Sequence, residues 1–270
     1  MLIAIDTGGT KTLITGFSRS GKPTNSYRFP TPKDKENYIA HVSETIHDNF
    51  KNVTYDAIVI GVPGVVKDNK VEWSGNLGWK DFDIVAAIRT TFDCPVWLEN
   101  DANLAGLAET MALPTIPRSC LYVTISTGIG TGIIIDGQIA PAFQQSEGGR
   151  SMLEYDGKIR SWESFASGRA IYSTYGKFAH DITSKSTWRQ IADKISRGFL
   201  TIIPLLQPDV IIIGGSIGSY YDRYHVILKK LLRERIQSEI PIPEIRQAIH
   251  PEEAVVYGCY YYGKDKLTRR

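Results

Sequence analysis

Residues 2–17 read Leu-Ile-Ala-Ile-Asp-Thr-Gly-Gly-Thr-Lys-Thr-Leu-Ile-Thr-Gly-Phe, two apolar runs separated by a pair of glycines. The runs Met1–Asp6 and Leu13–Phe17 predict two short strands, joined in a hairpin by the turn Thr7-Gly8-Gly9-Thr10. Glycine lets a backbone approach a ligand closely, and successive N–H groups in such a turn form a concave anion site. A plain hairpin turn explains the same residues, so this stretch alone leaves both interpretations open.

A similar pattern occurs near the start of the second half of the chain. Ser126-Thr127-Gly128-Ile129-Gly130-Thr131-Gly132 follows a predicted strand, Cys120–Ser126, and Thr127–Gly132 is predicted as a glycine-rich turn before a strand at Ile133–Ile135. Two such hairpins predict a duplicated fold with a cleft between its copies and favour phosphate binding by both turns. A hydroxyl of Thr7, Thr10 or Thr127 would contact phosphate oxygens. Asp6 would hold Mg²⁺ directly or through water, because Mg²⁺ prefers oxygen ligands.

The rest of the chain alternates predicted strands with predicted helices, which indicates an α/β protein with mixed sheets. The clearest strands are Ala57–Val62, Pro95–Leu98 and Asp209–Ile213, and the clearest helices are Lys35–Phe50, Ile84–Phe92, Trp188–Leu206 and Tyr224–Gln237. Pro114 and Pro117 predict a boundary between an N-terminal lobe, residues 1–115, and a C-terminal lobe, residues 116–251.

Bulk composition excludes several classes of protein. A net charge of +2 over 270 residues is too small to predict a nucleic-acid surface. The three cysteines, Cys94, Cys120 and Cys259, are too few and too far apart for a disulfide framework or a cysteine-rich zinc site. The sequence shows neither a cationic leader before an apolar segment nor an apolar run of about 20 residues. A cytoplasmic protein without a membrane partner is therefore expected.

Asp101 is the strongest catalytic candidate. It lies in Glu99-Asn100-Asp101-Ala102-Asn103, between a predicted strand and a predicted helix. Ligands of α/β folds bind at the carboxyl ends of strands, and a carboxylate there can accept the proton of an attacking alcohol during phosphoryl transfer. Asn100 or Asp101 would also serve as the cap of the helix Ala102–Met111. The two roles are compatible.

Four further positions have two interpretations each. Glu147, in Glu147-Gly148-Gly149-Arg150, would grip sugar hydroxyls or belong to a simple loop. Glu163 would do the same or favour the N-terminus of a predicted helix at Phe165–Ala170. Asn76 is a ligand contact or a turn residue. Gly214-Gly215, after a buried strand, opens onto a ligand or forms a tight strand-to-helix turn.

These motifs, in this order over nearly the whole chain, resemble the ROK family of sugar kinases and repressors in the actin/hexokinase superfamily. The segments that carry the resemblance are Asp6–Thr12, Gly61–Gly64, Gly75–Trp79, Asn100–Asn103, Ser126–Gly132, Glu163–Ala170 and Ile211–Gly215. The resemblance implies a duplicated actin-like ATPase fold (ribonuclease H-like), two lobes with mixed sheets and a central cleft, and a C-terminal helix, about 252–270, that joins the first lobe. It also implies a homodimer.

The resemblance further implies ATP-dependent phosphorylation of a hexose or N-acetylhexosamine at carbon 6. Asp101 would be the general base. The sugar-binding residues implied are Gly64, Asn76, Asn100, Glu147, Arg150 and Glu163. The ATP-binding residues implied are Asp6, Gly8, Gly9, Thr10, Lys11, Thr127, Gly128, Gly214 and Gly215, with Asp6 serving Mg²⁺, most simply through water.

The chain departs from the family at Arg150, which replaces a histidine of the family pattern that contacts sugar and often ligates zinc. The cysteines that supply the other zinc ligands in the family are missing between Met152 and Glu163. No zinc site is therefore expected. Arginine is a permanent cation with five donors, so Arg150 would read an acidic or phosphorylated substituent of the sugar, or point outward.

Two other functions compete with a kinase. A sugar-responsive repressor would need a DNA-binding segment before the first strand, and the five residues before Asp6 leave no room for one. A catalytically silent sugar- or nucleotide-binding protein would be compatible with the changes at Arg150 and in the zinc segment. Retention of Asp101 and of both glycine turns favours the kinase.

Overall fold

A computed structural model of the protein describes residues 1–51, 53–250 and 253–269. The chain forms two compact units, one made of Met1–Ala108 and Glu253–Arg270, the other of Glu109–Glu252. The first unit ends earlier than the boundary that the prolines predicted at residue 115, because the chain leaves it inside a continuous helix rather than in the proline loop. The other predicted boundary, at residues 251 and 252, lies outside the described residues.

The first unit contains most of the predicted elements. Its strands and helices are β1 (Leu2–Thr7), β2 (Lys11–Phe17), β3 (Pro23–Pro30), α1 (Lys35–Asn49), β4 (Ala57–Val62), β5 (Val65–Lys67), β6 (Lys70–Ser74), β7 (Trp79–Phe82), α2 (Ile84–Arg89), β8 (Val96–Asn100) and α3 (Asp101–Met111), which continues into the second unit. Glu99 and Asn100, expected just after a strand, are its last two residues.

The elements of the second unit also begin with a run of strands, followed by helices and further strands. They are β9 (Ser119–Ile125), β10 (Ile129–Ile135), β11 (Gln138–Ile139), β12 (Met152–Tyr155), β13 (Lys158–Ser161), α4 (Glu163–Ala166), α5 (Gly168–Tyr175), α6 (Lys185–Leu206), β14 (Val210–Gly214), α7 (Gly215–Gly218), α8 (His225–Arg235) and β15 (Glu244–Gln247). The last helix, α9 (Ala254–Thr268), returns to the first unit.

The two main sheets have the same plan, which confirms the duplicated α/β fold. Their strand orders are β3-β2-β1-β4-β8 and β11-β10-β9-β14-β15. In each sheet the central strand, β1 or β9, is antiparallel to the strand that follows it in sequence and parallel to its other neighbour. The carboxyl ends of β1, β4 and β8 therefore meet at one edge of the first sheet, where α/β folds place ligands.

The second glycine-rich segment is shorter as a turn than predicted. Gly130 pairs with Thr124, and Gly132 pairs with Tyr122, in the antiparallel ladder between β9 and β10. The expectation of a turn through Gly132 is therefore wrong, because backbone pairing with β9 extends the strand through these glycines. Only Ser126-Thr127-Gly128 separates the two strands.

Each unit has its own apolar core. In the first, α1 packs Tyr38, Val42 and Ile46 into a cluster with the residues of β1, β4 and β8, as helical spacing predicts. Helix α9 packs on the same unit: a Cβ at Gly258 would overlap the backbone of Leu104, so glycine allows α9 and α3 to touch closely. Among the described residues, no helix combines the length and apolarity needed to cross a bilayer.

Candidate active site

Two carboxylates lie at the shared edge of the first sheet. Asp6 in β1 is in register with Gly61 in β4, which is in register with Glu99 in β8. Asp101 follows β8 directly as the first residue of α3. Both aspartates are half-buried, and the charge of Asp101 acts on Asp6. The fold thus brings together the predicted base and the predicted Mg²⁺ residue.

The environment raises the pKa of both carboxyls. Burial raises the pKa of Asp6 to about 7, the negative charge of Asp101 adds to the rise, and Arg28 opposes it. Burial also raises the pKa of Asp101 to about 6, against the hydrogen bond that its Oδ1 accepts from the N–H of Ala102 at 2.8 Å. A carboxylate with a pKa near 6 is still mostly ionised at neutral pH and is a better base than an ordinary aspartate.

Asn100 caps α3 and fixes the neighbouring loop. Its Oδ1 accepts the N–H groups of Ala102 and Asn103 at 2.8 and 3.1 Å, and its Nδ2 donates to the carbonyl of Gly64 at 2.9 Å. Gly64 has a φ of +105°, which favours glycine. The capping interpretation is confirmed for Asn100, and the amide joins two of the predicted sugar-binding residues.

The first glycine turn is held from the outside by Lys33. The ammonium of Lys33 donates to the carbonyls of Gly9 and Asn76, the latter at 2.9 Å. A Cβ at Gly9 would lie 3.1 Å from the Cβ of Asn76, so the turn and the Asn76 loop are in contact. Lys33 is not among the predicted site residues, because nothing in the local sequence pattern indicates that its side chain reaches two distant carbonyls.

The hydroxyls of this turn do not all face solvent. Thr7 is fully buried and its Oγ1 is hydrogen-bonded to the hydroxyl of Tyr38 at 2.7 Å, which makes the suggestion that Thr7 contacts phosphate wrong. Thr10 and Lys11 are exposed, while the N–H of Gly8 donates to the carbonyl of Lys11 at 2.9 Å and closes the turn. Thr10 is thus the accessible hydroxyl of the turn.

The second glycine turn is braced by Glu163. The Oε2 of Glu163 accepts the N–H of Ile129 at 3.4 Å, and a Cβ at Gly128 would lie only 2.8 Å from that oxygen. The turn also receives the N–H of Gly168, which donates to the carbonyl of Ser126 at 2.6 Å. Glu163 is also the first residue of α4, which confirms its position at a helix N-terminus, and sugar binding by Glu163 stays a prediction.

The prediction of one helix at Phe165–Ala170 is wrong, because this segment is divided between α4 and α5. Ser167 has an extended conformation, with φ −71° and ψ 163°, between α4 and α5. Its hydroxyl accepts the N–H of Ala170 at 3.2 Å and thereby caps α5. The two helices are separated at Ser167 because an N-capping residue has extended rather than helical backbone angles.

Arg150 is the last residue of a short 3-10 helix, Gly148–Arg150, and Glu147 directly precedes that helix. This helix lies on β10: the N–H of Gly148 donates to Thr131 Oγ1 at 3.0 Å, and a Cβ at Gly149 would overlap the carbonyl of Ile129. Arg150 Nε lies 3.7 Å from Glu147 Oε2, with Arg150 half exposed. The arginine is thus next to a predicted sugar-binding carboxylate.

Gly214 and Gly215 make a tight passage from β14 to α7. Gly215 has a φ of +77°, and a Cβ on it would lie 2.6 Å from the carbonyl oxygen of Ile125 in β9. The turn interpretation therefore explains the glycine, and adenosine binding stays a prediction. The second unit places Thr127, Gly128, Glu147, Arg150, Glu163, Gly214 and Gly215 around β9, β10 and β14; the other predicted residues belong to the first unit.

The predicted Mg²⁺ fits the first unit. Burial raises the pKa values of the two half-buried carboxyls, Asp6 and Asp101, and the charge of Asp101 raises that of Asp6 further. A bound cation would stabilise the ionised form of both groups. Mg²⁺ needs only one or two carboxylates beside phosphate and water. Within residues 1–51, 53–250 and 253–269, no group of three or more His, Cys, Asp or Glu side chains could hold a metal ion. The expectation of no zinc stays a prediction.

Comparisons with known proteins agree on one family. The chain is 27% identical to a fructokinase of Pediococcus pentosaceus, covering 85% of each protein, and 26% identical to an N-acetylmannosamine kinase of Yersinia pestis, covering 98% of this chain and 99% of that one. A ROK family glucokinase of Streptomyces griseus, solved in complex with glucose and AMPPNP, shares the fold with a TM-score of 0.82 at 21% identity, over 98% of this chain and 99% of that one. Residues 2–266 match the sequence profile of the ROK family. The chain therefore belongs to the ROK family.

Proposed function

We propose that this protein is an ATP-dependent sugar kinase that transfers the γ-phosphate of ATP to a hydroxyl of a hexose or N-acetylhexosamine, most simply the hydroxyl at carbon 6. The observation that carries the proposal is Asp101, a half-buried carboxylate at the carboxyl end of β8 whose pKa is raised to about 6. A base of this kind accepts the proton of the attacking hydroxyl, which is the main task of a side chain in phosphoryl transfer.

Asp6 has a different role in this proposal. It would hold Mg²⁺, directly or through water, and the metal supplies charge neutralisation for the phosphates of ATP when bound. Gly8, Gly9, Thr10 and Lys11 of the first turn, with Thr127 and Gly128 of the second, would bind the phosphates through N–H groups and hydroxyls. Gly214 and Gly215 would face the adenosine.

The sugar would be bound by carboxylates and amides. Glu147, Glu163, Asn76 and Asn100 are the candidates, with the Gly64 loop fixed beside Asn100 by its hydrogen bond. Arg150 lies beside Glu147 and would orient that carboxylate or contact an acidic substituent. The named relatives act on different sugars, fructose and N-acetylmannosamine by their names, which supports a sugar kinase as a class and leaves the sugar to experiment.

An ADP-release assay over a panel of hexoses, N-acetylhexosamines and their acidic derivatives, with MgATP, tests the proposal. We expect sugar-dependent ADP release with one sugar preferred, and none without sugar beyond a slow background. If calorimetry detects sugar binding but no sugar gives turnover at any concentration, the protein is a silent binding protein and the kinase proposal is wrong.

A further inference from the structure

We propose that the β12–β13 hairpin is a clamp that positions the two carboxylates Glu147 and Glu163, and that Tyr155 and Arg160 are its positioning residues. The assignment of these carboxylates to the sugar rests on the proposed function, whereas the clamp itself rests on the contacts of the second unit. The hairpin covers Met152–Ser161, with Leu153 paired to Arg160 and Tyr155 paired to Lys158.

The base of the hairpin joins the two carboxylate segments. The N–H of Trp162 donates to the carbonyl of Ser151 at 2.9 Å. Ser151 directly follows the 3-10 helix that begins after Glu147, and Trp162 directly precedes Glu163. Both segments also touch Ile129, since Gly149 lies against its carbonyl and Glu163 accepts its N–H. A shift of the hairpin would therefore move both carboxylates relative to the second glycine turn.

The tip of the hairpin is fixed in register by its turn. Asp156 and Gly157 have φ values of +54° and +70°, the left-handed pair of a two-residue type I′ turn. The N–H of Gly157 donates to Glu154 Oε1 at 2.7 Å. A slip of one residue in the pairing would move every side chain to the opposite face of the hairpin. This turn therefore keeps Tyr155 on the face that packs against Phe165.

Tyr155 anchors the hairpin to α4. Its ring stacks on Phe165 at 4.5 Å between centroids and 3° between planes, and Phe165 lies two residues after Glu163. The guanidinium of Arg160 lies 5.2 Å from the Tyr155 ring and 5.8 Å from the Phe165 ring, and its Nη2 donates to the carbonyl of Tyr155 at 3.2 Å. Arg160 therefore holds both rings of the stack.

Helix α6 supplies two more cations to the same ring. Lys194 Nζ lies 5.8 Å and Arg197 Cζ 5.9 Å from the Tyr155 centroid. Lys194 is only 6% exposed, its Nζ donates to Thr174 Oγ1 at 3.3 Å, and burial lowers its pKa. Asp193 pairs with Arg197 and Arg235. In the part of the chain that the structure describes, Arg160 Nε and Arg197 Nε find no hydrogen-bond acceptor. The Nη2 atom of each does find one, so the ring faces stabilise these two cations in addition to those acceptors.

Hydrogen–deuterium exchange of the free protein tests the clamp without any substrate. In Tyr155→Ala, we expect exchange in peptides covering residues 147–151 and 162–166 to rise about tenfold, on the usual strength of aromatic and cation–π contacts. Tyr155→Phe, which keeps the ring, should remain within about twofold of the parent. Tyr172→Ala is the matched control, because Tyr172 also stacks on a phenylalanine of the second unit, Phe178, at 4.5 Å.

Steady-state kinetics with the sugar found by the panel gives the second readout. Tyr155→Ala should raise the KM for sugar about tenfold and leave the KM for ATP within about twofold, with Arg160→Gln showing a smaller change in the same direction. Arg160→Gln keeps the inference falsifiable if Tyr155→Ala does not fold. Unchanged exchange at residues 147–151 and 162–166 in both variants overturns the clamp, whether or not the parent protein is a kinase. Absence of turnover in the parent overturns only the proposed function.

Discussion

The two glycine turns have the same place in two sheets of the same plan, yet they are supported in opposite ways. The first turn is held by a cation, Lys33, which binds the carbonyls of Gly9 and Asn76. The second is held by an anion, Glu163, which accepts the N–H of Ile129 beside Gly128. The duplicated backbone therefore fixes the position of each turn, while unrelated side chains hold it in place.

The difference extends to the acids beside each turn. Next to the first turn, Asp6 and Asp101 are half-buried with raised pKa values, which suits proton and metal chemistry. Next to the second turn, Glu163 is tied to the backbone, which suits binding and positioning. Substitutions on the two sides should therefore separate into effects on turnover and effects on sugar affinity.

The largest effect is expected at Asp101. Asp101→Asn should lower kcat by at least ~10², the usual worth of a general base, while the Kd for sugar, measured by calorimetry, stays within a few fold. Glu163→Gln should instead raise the KM for sugar more than it lowers kcat. Unchanged turnover of Asp101→Asn would refute its role as the base and remove the contrast between the two sides.

The free energy of unfolding of the same variant gives a second test that does not depend on activity. The pKa of Asp101 in the folded protein, about 6, is above the ordinary value of 3.8, so ionisation of this group reduces stability as pH rises from about 4 to about 6. Asp101→Asn should therefore be more stable than the parent at pH 7.5, by about 1–2 kcal/mol after allowance for solvent screening. Chemical denaturation measures this, and a variant that is less stable than the parent at pH 7.5 would contradict the raised pKa of Asp101.

The pH dependence of turnover should report the same group together with Asp6. Because both carboxyls act when ionised, kcat/KM should be constant well above pH 7 and fall as the pH drops through the pKa values of Asp6, about 7, and Asp101, about 6. The measurement is a profile of kcat/KM from pH 5 to pH 8.5 with saturating Mg²⁺. A profile that is flat to pH 5 would contradict a raised pKa in the active form.

Alanine substitutions at the two glycine turns should disturb different contacts. A Cβ at Gly8 would lie 2.9 Å from the backbone oxygen of Lys11, whereas a Cβ at Gly128 would meet the movable end of Glu163 at 2.8 Å. We expect Gly8→Ala to raise the KM for ATP roughly tenfold and to leave the KM for sugar nearly unchanged. Gly128→Ala should raise the KM for sugar by a similar factor through displacement of Glu163, in addition to raising the KM for ATP, because Gly128 is also a proposed phosphate contact. Equal effects on both substrates in both variants would show that the turns are not specialised.

The smallest effect is expected at Lys33, whose contacts are exposed. Lys33→Met keeps the length of the side chain and removes its hydrogen bonds, and we expect kcat/KM to fall about threefold, because the Gly8–Gly9 turn and the Asn76 loop lose their bridge. Lys35→Met is the matched control, since Lys35 Nζ donates to the carbonyl of Lys80 and not to the turn. A similar loss in both variants would indicate a general effect of surface charge.

Much of the fold could be predicted from the sequence, because apolar runs separated by a glycine turn indicate strands that pair with the next strand along the chain. The hairpin of β1 and β2 and the strand Ala57–Val62 are confirmed. The extent of the second turn could not be predicted, because Gly130 and Gly132 gain their structure from pairing with β9. The position of Asp101 at a strand end was readable, but its pKa depends on burial that only the folded chain creates.

Other features of the site had weaker signals or none. The β12–β13 hairpin was missed although Asp156-Gly157 is a strong type I′ turn signal between its strands. Lys33 had no signal, because a lysine that reaches carbonyls distant in sequence looks like any solvent-exposed lysine. The predicted absence of zinc stays open to a metal analysis of the purified protein, in which one tightly bound zinc per chain would contradict it.

The return of α9 to the first unit has a consequence for synthesis of the chain. The backbone of Leu104 lies against Gly258 of this helix, and the side chains of Leu2 and Val59 lie against Gly263. The layer that bears Asp6 and Asp101 therefore cannot be completed until the ribosome has translated α9. The intervening segment is translated earlier and can collapse first. A nascent chain stalled before residue 254 would therefore leave the first unit unfinished, although α9 itself contributes none of the proposed ligands.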